Sequence, residues 1–257
     1  MPFRGRKILL TGGAGGIGSA LGRRLLRAHA RLAVVGRRHA IDYPASYYQA
    51  DLSTLEGIQS VADFLGRHPP DILINLAGVM HFGELEHQSA EHIALTFATN
   101  LLAPVLLCKA VLPAMKYRRG GQIVNVGSVF GAINFAHFAT YSSSKAGLHG
   151  FSEALRREVA GSDIAVTYIA PRAVRTPFNN DLVMRWAALT KTAIDDAEPV
   201  ADKILYAIAK RKKDFYIGFP ESLFVRLNRL LPRLVDKALA SNDSKAKRLF
   251  QQLAQEV

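Results

Sequence analysis

The chain has 257 residues, 49% of them hydrophobic, a formal net charge of +12 and a single cysteine. That length and apolar content fit one α/β domain with a full core and exclude a disordered chain; the lone Cys108 excludes a disulfide framework. The opening "MPFRGRKILL" is too short in apolar residues for a secretory signal, and no run reads as the ~20 apolar residues of a membrane-spanning helix, so a cytoplasmic, reducing location is expected.

In chain order, short β-branched runs alternate with helical patterns. "KILLTG" (7–12) reads as a strand, "IGSALGRRLLRAHA" (17–30) as a helix, "RLAVVGR" (31–37) as a strand and "YYQADLS" (47–53) as a weaker one. "GIQSVADFLGRH" (57–68) is helical and "DILINLAG" (71–78) a strand. A long helical stretch from about Ala90 to Met115 precedes the strand "GQIVNVGS" (121–128). "YSSSKAGLHGFSEALRREVA" (141–160) is helical, "IAVTYIAP" (164–171) a strand, 172–200 irregular, "ADKILYAIAKRK" (201–212) helical and "DFYIGFP" (214–220) a last strand. Such alternation predicts a Rossmann-like, doubly wound parallel sheet of about seven strands covered by helices on both faces. The expected division is a nucleotide-binding and catalytic domain over 1–220 and a basic helical extension over 221–257.

"TGGAGGIG" (11–18) holds five glycines in eight positions. It lies between the first strand and the first helix, where a linker has no place. At that turn of a doubly wound sheet, missing Cβ atoms let the backbone approach a pyrophosphate, and the following helix N-terminus favours its charge. At the end of the second strand, "VVGRR" puts Gly36 where an acidic residue would select a ribose 2′-hydroxyl. Arg37 and Arg38 follow, and their guanidinium groups suit a 2′-phosphate, so NADP(H) is expected over NAD(H). Tyr141 and Lys145 stand four apart on one helix face, thirteen residues after Ser128. A nearby ammonium lowers a phenol's pKa, which equips the tyrosine for proton transfer, and the serine hydroxyl can hold the reacting oxygen.

Taken together, these segments resemble the short-chain dehydrogenase/reductase family of the common single-domain type. The carriers are "TGGAGGIG", "NLAG" (75–78), Asn100 in "TNLLAP", Ser128, "YSSSK" (141–145) and "PRAVRTP" (171–177), in the family's order over about residues 5 to 220. The resemblance implies catalytic roles for Asn100, Ser128, Tyr141 and Lys145, with Asn100 helping to hold a proton-relaying water chain. It implies cofactor contacts from Gly12, Gly16, Ile17, Gly18, Asp51, Leu52, Asn75, Ala77, Gly78, Pro171, Val174 and Thr176, with Tyr141 and Lys145 at the nicotinamide ribose. It also implies a homo-oligomer, dimer or tetramer. Two positions depart from the pattern: Leu76 replaces an asparagine, and Arg172 replaces the glycine after Pro171 and puts the shape of the nicotinamide wall in question.

His81, His87 and His92 match no compact metal-ligand spacing, and no metal is expected. Phe135, His137 and Phe138 either line the substrate cleft or pack their loop. Phe178, Leu182, Val183, Met184, Trp186 and Leu189 form either an apolar lid or an ordinary packed helix. Between Lys203 and Arg248 stand twelve basic and four acidic residues, so most of the excess charge lies here. "SLFVRLNRLLPRLVDKALA" (222–240) carries Arg226, Arg229, Arg233 and Lys237 as one basic stripe beside leucines, with Pro232 expected to divide the helix. This segment either meets an anionic membrane surface or packs on the body or a second subunit; no nucleic-acid-binding module accompanies it. Two functions stand open at this stage. One is an NADP(H)-dependent oxidoreductase acting on an apolar carbonyl or alcohol. The other is a catalytically idle NADP-binding protein that uses the basic segment for a partner.

Overall fold

The computed structural model describes residues 2–255. Seven strands form the large sheet: β1 (Lys7–Thr11), β2 (Arg31–Gly36), β3 (Ser46–Gln49), β4 (Ile72–Asn75), β5 (Gly121–Val126), β6 (Ile164–Pro171) and β7 (Asp214–Ile217). All pairs are parallel, in the order β3-β2-β1-β4-β5-β6-β7. Every residue of β4 is buried, as are nearly all of β1, β5 and β6. Strands covered on both faces have no polar side to show, hence their continuous apolar runs.

The helices are α1 (Gly16–Arg27), α2 (Leu55–Arg67), α3 (Ala90–Phe97), α4 (Ala103–Tyr117), α5 (Ala139–Glu158), α6 (Asp181–Thr190), α7 (Ala197–Ala209), α8 (Glu221–Leu230) and α9 (Pro232–Gln255). One face of the sheet buries Leu21 and Leu25 of α1 with Val200 and Ile204 of α7. The other buries Ile58, Val61 and Leu65 of α2 with Leu107, Val111 and Met115 of α4. Arg24 of α1 ties the first layer together by pairing with Glu198 and Asp202 of α7. Strand order reverses around β1, which lies between β2 and β4, so a crevice opens at the C-terminal ends of these strands.

Three expectations change. The stretch Ala90–Tyr117 is long and apolar enough, by length and composition, to cross a membrane. Here it is a core element: Leu107, Cys108, Val111 and Met115 are fully buried against α2 and the sheet. It is also not one continuous α-helix, because a π-helical turn over Ala98–Leu102 separates α3 from α4. The segment after β6 is more ordered than its sequence implies. Val174–Arg175 pairs with Asp195–Asp196 in a short parallel ladder, and α6 forms between them, capped by Asn180 Oδ1 accepting from Val183 N at 3.0 Å. Leu231 separates α8 from α9, where Pro232 cannot continue the first helix.

Candidate active site

One cleft of about 770 Å³ runs along the C-terminal edge of the sheet, from the glycine turn after β1 to α6. At its nucleotide end the backbone is pressed together. Gly12 has φ +72°, and a Cβ there would lie 2.8 Å from Ala77 Cα. A Cβ on Gly18 would strike the Gly12 carbonyl oxygen. Thr11 Oγ1 holds the adjacent end of β4 by accepting from Leu76 N at 3.0 Å and Ala77 N at 3.1 Å. Tyr43 supports the turn from below, its hydroxyl donating to Gly13 O at 2.9 Å. Helix α1 is preceded by Gly15, which offers no side-chain cap, and it has no acidic residue in its first turn. Its leading N–H groups are therefore available to an anion, and this cradle fits a pyrophosphate. Arg37 and Arg38 are exposed on the rim after β2, and their carbonyls are fixed by Gln49 Nε2 (3.1 Å) and Tyr47 OH (2.7 Å).

At the other end, Ser128 follows β5 while α5 delivers Tyr141 and Lys145 to the same wall. All three are buried. Lys145 Nζ lies 5.9 Å from the centre of the Tyr141 ring and donates to Val126 O at 3.2 Å. Burial pushes the Tyr141 phenol up to about 12, opposed by its neighbour Ser128. Burial likewise pushes the Lys145 ammonium down to about 8. In the protein alone, burial therefore outweighs any lowering of the phenol's pKa by Lys145. Both side chains are buried, and burial disfavours the charged form of each. Tyr168 packs beneath Ser128 and donates to its carbonyl at 3.4 Å.

Gly12, Gly16, Ile17, Gly18, Arg37, Arg38, Asp51, Leu52, Ala77, Gly78, Pro171, Val174 and Thr176 all lie along this cleft with Ser128, Tyr141 and Lys145. Two expected residues do not. Asn75 is 2% exposed and turned into the sheet, where its Nδ2 donates to Asn125 Oδ1 at 2.8 Å; Asn125 in turn donates to Ser152 Oγ at 2.8 Å. The two asparagines are register partners on β4 and β5, so their amides meet inside the protein and not in the cleft. Asn100 is completely buried in the π-helical turn. Its Oδ1 accepts from Val79 N at 2.8 Å, and its Nδ2 donates to Val79 O at 2.8 Å and Ser144 Oγ at 3.0 Å. Both amide hydrogens are used, so the side chain anchors the segment after β4.

The departures from the family pattern also resolve. Leu76 packs on the core cluster of α1 and α7. Arg172 turns its guanidinium toward Asp195 (2.7 and 3.1 Å), Glu221 (3.0 Å) and Phe219 O (3.2 Å). It fastens the loop after β6 to the start of α8, and these acids raise its pKa further. Beyond Tyr141 the cleft is lined by Phe130, Phe178, Val183, Met184, Trp186 and Ile194. Phe138 is fully buried, stacked on Phe82 at 4.5 Å, so it packs the loop. Phe250 of α9 joins the same aromatic cluster, 5.0 Å from the rings of Phe82 and His137. The inner face of α9 therefore packs on the aromatic cluster behind the cleft, which the basic stripe in the sequence did not reveal. Among the described residues no group of three or more metal-ligating side chains converges.

A family model described as short chain dehydrogenase matches residues 6–185. The chain is 36% identical over 181 residues to a human 3-oxoacyl-[acyl-carrier-protein] reductase, covering 66% of this chain and 76% of that protein. Among solved structures, a short-chain dehydrogenase from Sphingobium yanoikuyae in complex with NADPH superposes with a TM-score of 0.75 at 26% identity, covering 89% of this chain and 94% of that one. A 4-hydroxyisoleucine dehydrogenase complexed with NADH superposes with a TM-score of 0.74 at 25% identity, covering 82% and 96%.

Proposed function

The chain belongs to the short-chain dehydrogenase family, and from that premise we propose that it is an NADP(H)-dependent oxidoreductase interconverting a carbonyl and an alcohol on an apolar substrate. The observation that carries the reading is the convergence of Ser128, Tyr141 and Lys145 on one buried wall of a cleft whose far end is a glycine cradle. Bound there, the nicotinamide cofactor would supply or accept the hydride.

The chain's own residues do the rest. The Ser128 hydroxyl donates to the substrate oxygen and supports the charge that develops on it. Tyr141 Oη gives that oxygen a proton in reduction and takes one in oxidation. Lys145 is a positioning and electrostatic partner, whose charge favours the phenolate once polar groups in the filled cleft compensate its burial. Gly12, Gly16 and Gly18 with the open start of α1 hold the pyrophosphate, and Asp51 with Leu52 borders the adenine. Arg37 and Arg38 select the 2′-phosphate, and no acidic side chain at Gly36 repels it.

Support for an apolar substrate comes from Phe130, Val183, Met184 and Trp186 at the reactive end of the cleft, and from the 3-oxoacyl substrate class in the name of the human relative. The test is NADPH oxidation against ketones and aldehydes graded from small and polar to long-chain and polycyclic. The expected rate rises with apolar bulk and falls by about 10²–10⁴ in Tyr141→Phe, with NADPH binding retained. Unchanged turnover in Tyr141→Phe would refute the mechanism, and a uniform lack of turnover with intact NADPH binding would favour an idle binder.

A further inference from the structure

Helices α8 and α9 are anchored on their inner faces. Val225 and Val235 bury against Val129 and Ile133, Asn228 Nδ2 donates to Ala132 O at 2.9 Å, and Arg172 grips Glu221. Their outer faces are unusual. Leu223 and Leu230 stand two turns apart on one exposed face of α8, and Leu231 and Leu234 continue this ridge around the elbow. Phe219 is 75% exposed, Leu230 79%, Leu231 54% and Leu234 53%. Among the described residues, six of the thirteen exposed large hydrophobic side chains lie between Phe219 and Leu234. That is a patch and not ordinary scatter.

Basic side chains border it. Arg226 lies beside the ridge on α8, while Arg233, Lys237 and Arg248 are exposed on α9. None of the four has an acidic partner within ion-pair distance among the described residues. We infer that the α8–α9 elbow docks on an anionic lipid bilayer, with the leucines entering the interface and the basic side chains meeting headgroup phosphates. Charge complementarity chooses this occupant. A second copy joined through the same face would oppose its own arginines. A nucleic acid would satisfy the charge but leave the leucine ridge in water. An anionic bilayer satisfies both parts of the surface. The inference is read from this surface alone and does not rest on the catalytic reading.

The test is co-sedimentation of the full chain at low salt with vesicles of equal parts phosphatidylglycerol and phosphatidylcholine, beside pure phosphatidylcholine. Binding to the anionic vesicles that weakens with salt is expected. Arg226→Glu with Arg233→Glu should weaken it by more than about tenfold. Leu230→Ser with Leu234→Ser should also weaken it several-fold. Circular dichroism and NADPH binding stay unchanged in both, because all four side chains are exposed. The inference is overturned if the wild type does not sediment with anionic vesicles, or if both variants sediment as the wild type does. It is equally overturned if the leucine variant dissociates an oligomer while vesicle binding persists, which would assign the face to a second copy.

Discussion

Replacing both Arg37 and Arg38 by alanine isolates the choice between the two nicotinamide cofactors. Both side chains lie on the rim of the cleft, exposed, with only their carbonyls fixed. A hydrogen bond to a charged group contributes about 1.5–3 kcal/mol when sheltered. Exposure and salt reduce that to about 1 kcal/mol for each arginine. Together they are worth about 2 kcal/mol, or roughly thirtyfold in Kd. The assay uses a feature of the chain itself. Trp186 is its one tryptophan and lines the cleft, so its quenching reports cofactor binding directly. The double variant should raise the NADPH Kd by roughly thirtyfold and leave the NADH Kd within a few-fold, and added salt should weaken wild-type NADPH binding more than NADH binding. Equal weakening of both cofactors, or of neither, would show that the arginines do not read the 2′-phosphate.

Four further substitutions probe other positions. In the cofactor-free protein, Lys145 titrates near 8 when folded and near ~10.4 when unfolded, so between these values the unfolded chain binds more protons and stability rises with pH. Urea unfolding at pH ~7.5 and ~9.5 should show Lys145→Met lacking a gain of up to about 2 kcal/mol that the wild type has; comparison of the two cancels the opposing titration of Cys108, whose thiol is raised to about 12 by burial. Gly18→Ala places a methyl against the Gly12 carbonyl and should abolish NADPH quenching of Trp186, whereas Gly150→Ala, on α5 with open space around it, should stabilise by about 0.5–1 kcal/mol with binding intact. Arg172→Met leaves Asp195 and Glu221 without their shared partner and should lower stability by about 1–3 kcal/mol in thermal unfolding; an unchanged Tm would deny that this arginine fastens α8.

The parallel sheet and the nucleotide end of the cleft were legible because their constraints are local. A strand buried on both faces must be apolar throughout, and β4 and β5 announce themselves in four to six residues. The glycine turn is legible for a similar reason. Gly12 in the turn and Gly18 in the first turn of α1 meet, so the crowding that forbids a Cβ leaves its mark within eight consecutive positions. Tyr141 and Lys145 share a helix face, and their spacing states their proximity.

Features that depend on distant pairing were not legible in this way. Asn75 looked like a cleft residue because it begins the "NLAG" motif, but its direction is set by Asn125, fifty positions away on the neighbouring strand. Asn100 is recognised in the sequence only through the resemblance carried by "TNLLAP". Only the π-helical turn and the returning backbone at Val79 explain why it is kept there, fully satisfied. Arg172 left the shape of the cleft wall in question, and its direction is set by Asp195 and Glu221, 23 and 49 residues further on. The aromatic cluster behind the cleft is the extreme case, since Phe82, Phe130, Phe138, Trp186 and Phe250 reach it from separate segments. No spacing rule encodes such a meeting. A short local motif can therefore show that a chain binds a nucleotide, whereas the identity of its substrate is held in contacts among residues far apart in the sequence. In this protein the inner face of α9 joins such a long-range cluster through Phe250, although its sequence advertises only its charged exterior.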